Sequence, residues 1–102
     1  MTYSVRLSED AQEHINQAVS WLQAEAPEQV SRFLARLEDV KTRIADFPHL
    51  GHPAADAMRR MPVRAFHYQL WYVLEEHRAV VVAVTHPRQD ASAVLRDLGR
   101  NT

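Results

Sequence analysis

The chain has 102 residues, 46% of them apolar and 25% charged, and its twelve Lys and Arg against thirteen Asp and Glu leave a formal charge of −1. That balance belongs to a single globular domain with a core of its own, and it excludes both a disordered chain and a polybasic binder of nucleic acid. The absence of cysteine excludes disulfides, thiolate-bound zinc, iron–sulfur clusters and thiol catalysis, and it fits a reducing compartment.

Tyr3, Val5 and Leu7 alternate with Ser4 and Arg6, which predicts a short, half-buried strand. Ser8 stands where a helix N-cap is wanted, and Glu9 and Asp10 suit the first turn. From Ala11 the spacing becomes helical through Ile15, Ala18, Val19 and Leu22, with Trp21 beside the stripe. Pro27 and Glu28 suit the start of a second helix, whose stripe is Val30, Phe33, Leu34, Leu37, Val40 and Ile44. The short connection predicts an antiparallel helical hairpin.

Pro48-His49-Leu50-Gly51-His52-Pro53 reads as a loop. Met61–Val63 reads as a short strand in which Pro62 implies an edge or a bulge. Between Phe66 and Leu74, parity puts Phe66, Tyr68, Leu70, Tyr72 and Leu74 on one face and His67, Gln69, Trp71 and Val73 on the other. A charged turn, Glu75 to Arg78, leads into Ala79–Thr85, the β-branched run of a buried central strand. Val94, Leu95 and Leu98 predict a short helix ended by Gly99. The expected fold is therefore α+β, in the order β-α-α-β-β-β. A helical hairpin packs on a small antiparallel sheet, with a short C-terminal helix, in one domain over residues 1–102.

The charge is uneven. Residues 1–50 hold five basic and eight acidic side chains, a net of −3, and residues 51–102 hold seven and five, a net of +2. Eleven of the twelve basic residues are Arg and only Lys41 is Lys. The guanidinium fork suits carboxylates, phosphates and aromatic faces, although a GC-rich coding sequence accounts for the same bias. Arg59, Arg60 and Arg64 precede the long strand and Arg88 follows the last one. Antiparallel pairing would bring Arg64 to one rim with His86 and Arg88, and solvated arginines on edge strands are the alternative.

Six histidines show no metal-binding spacing: His49 and His52 flank a Pro-rich loop, His14 has no second His one turn away, and no HExxH occurs. No GxSxG elbow is present, and Gly51 and Gly99 are too far apart for a phosphate-cradling loop. No metal or cofactor is expected. His86, beside Arg88 and Asp90, is placed either for general acid–base work with Arg on a phosphate or for a backbone bond at the strand end. The first ten residues lack an apolar leader segment, and no run approaches the ~20 apolar residues of a membrane span, so the expected address is the cytoplasm.

In this order and spacing, Phe47-Pro48-His49-Leu50-Gly51-His52, Arg60-Met61-Pro62-Val63, Phe66 through Val73, Val80 to Val84 and Thr85-His86-Pro87-Arg88-Gln89-Asp90 resemble the ParE/RelE superfamily of toxins from bacterial type II toxin–antitoxin systems, closer to ParE. ParE-like members poison DNA gyrase; RelE-like members cut mRNA in the ribosomal A site without metal, using Arg, Lys, His or Tyr. The near-neutral charge and single Lys favour the ParE side. The resemblance implies a toxin held inactive by a cognate antitoxin, with DNA reached only through that antitoxin and no membrane partner. Trp21, Leu22, Phe33, Leu37 and Trp71 are the expected antitoxin contacts, and Arg59, Arg60, Arg64 and Arg88 the expected contacts to gyrase. The alternatives are a RelE-like mRNA endoribonuclease with His86, Arg88, Arg60 and Arg64 as catalytic candidates, and a non-toxic antitoxin-binding module.

Overall fold

The structure, a computed structural model, describes residues 2–54 and 56–99. Ser8 ends β1 (Ser4–Leu7) and starts α1 (Glu9–Glu25) in one step. Its hydroxyl accepts the Ala11 N–H at 3.0 Å, as an N-cap does, while its own N–H donates to the Val81 carbonyl at 2.9 Å. Pro27 opens a single 3₁₀ turn, Pro27–Gln29, which carries the chain into α2 (Val30–Asp46). Of the expected stripes, Ala11, Ile15, Ala18 and Leu22 on α1 and Phe33, Leu37, Val40 and Ile44 on α2 are buried, Val19 and Val30 are partly buried, and Leu34, one position off the buried face, is 42% exposed.

The strands β2 (His52–Pro53), β3 (Arg59–Val63), β4 (Tyr68–Glu75) and β5 (Arg78–Thr85) complete a five-stranded sheet in the order β1-β5-β4-β3-β2. The sheet is antiparallel except at one edge, where β1 runs parallel to β5, from Ser4 opposite Arg78 to Leu7 opposite Val81, so β5, expected to be the central strand, lies second and β4 is central. Parallel neighbours need a long crossover, and the two helices supply part of it. Part of the segment expected to be a loop also pairs, with His52 opposite Arg60 and Pro53 opposite Arg59. Beyond Arg60 the outer edge of β3 has no strand neighbour among the described residues, which is where Pro62 is tolerated.

Phe66 and His67 lie in the turn before β4 rather than in the strand; Ala65 and His67 there have φ of 74° and 63°. In the hairpin, Trp71 faces Ala83 but Tyr72 faces Val81, so Val82 is an extra residue on β5. That bulge keeps Tyr68, Leu70 and Tyr72 of β4, and Ala79, Val81 and Val84 of β5, in the core under the helices. Trp71 lies on the opposite face from Tyr72 and is also buried, its Nε1–H donating to Thr85 Oγ1 at 3.0 Å. Asp90 caps α3 (Ala91–Arg96) by accepting from the Ser92 and Ala93 N–H groups, and α3 packs on β5. No helix among the described residues is long and apolar enough to cross a membrane.

Candidate functional site

Val63 pairs with Tyr68 and Gln69 with Thr85, so the end of β3, the start of β4 and the end of β5 meet at one end of the sheet. Arg64 and His86 both reach this end, as their sequence positions imply, but they line two different grooves. The first lies between α2 and β3 and has a volume of about 610 Å³. Arg36, Val40 and Arg43 of α2 line it with Leu50, His52, Met61, Pro62 and Arg64, and Arg60 reaches its edge from the far face of β3. Asp39 is the only carboxylate in the lining, and its 3.7 Å pair with Arg36 is too exposed to cancel much of the charge. Arg36 and Arg43 are seven residues apart on the polar face of α2, a spacing that places both on one side of the helix. That was the sequence signal for their joint role.

The wall of this groove depends on a side chain that parity alone presents as a core aromatic. Tyr72 is fully buried, and its hydroxyl accepts the Gly51 N–H at 3.0 Å and donates to the Pro48 carbonyl at 2.8 Å. A Cβ at Gly51 would collide with that hydroxyl and lie 2.8 Å from Tyr72 Cε1, so only glycine fits. Burial raises the Tyr72 pKa, while the bond from Gly51 and the charge of Arg59 act against the rise. Arg59, one of the expected target contacts, donates Nη1–H bonds to the His49 and Gly51 carbonyls at 3.1 and 2.9 Å. It is a fastener of the loop. Arg60 lies on the other face of β3, with its guanidinium 5.9 Å from the centroid of the Trp71 ring.

The second groove, about 360 Å³, lies between α1 and the end of β5. His14, Gln17, Trp21, Tyr68, His86, Arg88 and Gln89 contribute to it. β1 stops at Leu7, and α1 takes over along the same side of β5: the Val84 N–H donates to His14 Nδ1 at 3.1 Å. Burial lowers the His14 pKa, and the carboxylates of Asp10 and Glu13 partly offset that. The His86 ring packs edge-on against Tyr68 at 5.1 Å, its Nδ1 accepts the Arg88 N–H at 3.1 Å, and its own N–H donates to Gln89 Oε1 at 2.7 Å. His86 therefore shapes the turn after β5. Burial also raises the Tyr68 pKa.

The expected antitoxin contacts need correction. Leu22, Phe33, Leu37 and Trp71 are buried, so they can meet no partner without opening the core. Trp21 alone among the five is open, 55% exposed, and the other exposed large apolar side chains are Leu34, Phe47 and Leu50. Among the described residues no group of three or more His, Asp or Glu side chains could hold a metal ion.

The family model for the ParE toxin of the type II toxin–antitoxin system parDE matches residues 5–91. The chain belongs to the ParE toxin family. No curated protein matches it in sequence. Among solved structures, this ParE-family chain is similar to one of the chromosomal ParDE toxin–antitoxin system of P. aeruginosa, with a TM-score of 0.73 at 7% identity over 83% of this chain and 96% of the other. It is also similar to an arginine-to-alanine double mutant of the E. coli toxin RelE in the free state, with a TM-score of 0.69 at 15% identity over 99% and 98% of the two chains. A third similar structure is the RelBE2 toxin–antitoxin complex of Mycobacterium tuberculosis, with a TM-score of 0.60 at 20% identity over 87% and 95%. At these identities the likeness is one of fold.

Proposed function

We propose that residues 1–102 act as one cytoplasmic toxin domain that arrests growth by poisoning DNA gyrase and is neutralised by a cognate antitoxin. The observation that carries this reading is the separation of the catalytic candidates. Arg60 and Arg64 line one groove and His86 and Arg88 another, so among the described residues the four catalytic candidates do not converge on one point. A toxin whose catalytic candidates do not converge acts by occupying a protein target, and the arginine-lined groove between α2 and β3 is the surface for it. The similar structures from P. aeruginosa and M. tuberculosis are of toxin–antitoxin systems, which supports an antitoxin partner.

The test is a supercoiling assay with purified protein and gyrase. Inhibition with trapped cleavage complexes, lost in Arg60→Ala and Arg64→Ala variants that remain folded, is the expected outcome; unaltered supercoiling would sink the gyrase reading. A second reading is a RelE-like mRNA endoribonuclease, favoured by one observation: the groove that holds His86 and Arg88 also presents the aromatic rings of Tyr68 and Trp21, on which bases could stack. Codon-phased cuts in primer extension after induction would select it over gyrase.

A further inference from the structure

The groove between α1 and β5 has a chemical bias of its own. An imidazole that accepts a hydrogen bond at one nitrogen carries its proton on the other. His14 accepts the Val84 N–H at Nδ1, and His86 accepts the Arg88 N–H at Nδ1, each at 3.1 Å. Both rings are therefore Nε2–H tautomers with one donor to spare. Gln89 uses its Oε1 on the His86 N–H, which leaves its amide NH₂. The exposed Arg88 guanidinium has no carboxylate partner among the described residues. Backbone groups have thus consumed the acceptors of His14, His86 and Gln89, so these three and Arg88 offer donors to the groove, while Gln17, whose amide NH₂ is on Glu13, offers an acceptor.

Donors select an oxyanion, and charge selects which one. Arg88 is the one Arg or Lys in the lining, burial disfavours the charged form of His14, and Asp10 and Glu13 of α1 lie near enough to act on it. A phosphodiester chain would meet those carboxylates, and its many charges would be drawn instead to the arginines that line the α2–β3 groove. One carboxylate matches one guanidinium. The rest of the lining includes Ala18, Val84 and the ring of Tyr68, with the half-open Trp21 indole. That surface suits an apolar side chain next to the anion.

We propose that this groove is a receptor for a single carboxylate of a polypeptide, an Asp or Glu side chain held by Arg88 and the imidazole N–H donors, with its apolar neighbour on Trp21. The inference rests on the toxin reading only for the source of that peptide, a segment of the antitoxin.

The test uses the full chain, labelled with ¹⁵N, in a buffer free of carboxylate and phosphate. The probes are N-acetyl-Glu-Leu-amide, the Gln-Leu counterpart and inorganic phosphate. Both imidazoles should report the Nε2–H tautomer. The Glu peptide at millimolar concentration should shift the imidazole and Trp21 indole signals, and the Gln peptide should bind about tenfold more weakly, the loss of one charged hydrogen-bonded pair. Arg88→Gln should weaken the Glu peptide to the same degree while the core resonances stay in place. An Nδ1–H tautomer in either ring, equal binding of the two peptides, tighter binding of phosphate or no response at all would overturn the proposal. Because the probes are small peptides, a negative result leaves the gyrase assay untouched, and a failed gyrase assay leaves this one standing.

Discussion

Tyr72→Phe removes one oxygen and no packing, so its effect isolates what that hydroxyl does for the Pro48–Gly51 loop. Two hydrogen bonds disappear, one from the buried Gly51 N–H and one to the half-buried Pro48 carbonyl. The stranded N–H costs roughly 1–3 kcal/mol, and the carbonyl, which water can reach, costs the low end of that range, for a total of about 2–3 kcal/mol. At this chain length that lowers Tm by roughly 10 °C. Urea unfolding should give the same loss with an unchanged slope, since the denatured surface is the same. Gly51→Ala should be worse, because the added methyl meets the hydroxyl as well as ring carbons at 2.8 and 2.9 Å. In the double variant the collision with oxygen is gone but the ring carbons remain, so the two losses should fall short of additive by about 1 kcal/mol. A Tyr72→Phe loss below about 0.5 kcal/mol, or strict additivity, would mean that the hydroxyl does not hold the loop.

Other outcomes follow from single contacts. The His14 pKa is lowered on folding, so the unfolded chain binds the extra proton first: stability is full above about pH 6.5 and is lost as pH falls through the lowered folded value. Urea midpoints from pH 5 to 8 should show this slope, and His14→Gln should flatten it. Ala65→Gly should stabilise by about 0.5–1 kcal/mol, because Ala65 sits at φ 74°, where a Cβ is strained; a thermal melt checks it.

Much of the architecture is legible along the chain because local and global preferences coincide there. Ser8 is a cap by type and by geometry, and the β-branched run of β5 lies inside the sheet with a strand on each side because it is apolar on both faces. Legibility fails where one signal serves two purposes. Leu22, Phe33 and Leu37 announce the helices by their period, and that period is what buries them; a docking surface has to come from apolar residues off the stripe, as with Trp21, or beyond it, as with Phe47 and Leu50. The bulge at Val82 has no composition cue in a run of valines and alanines, so parity alone cannot say where the count slips. The bonds from Val84 to His14 and from Gly51 to Tyr72 join residues 70 and 21 positions apart, a distance no local pattern spans.

The takeover of β5 by α1 where β1 ends also sets an order of assembly. β1 has no strand partner other than β5, and Ser8 and His14 make their bonds to Val81, Val82 and Val84. The α1–α2 pair and the β4–β5 hairpin are close in sequence and can form early, whereas this seam joins residues 70 and 74 positions apart and forms late. During synthesis the front half of the chain therefore waits for its sheet, with the apolar side of α1 uncovered until β5 arrives. A toxin built this way gains its finished surface only once Thr85, the last residue of β5, has been made.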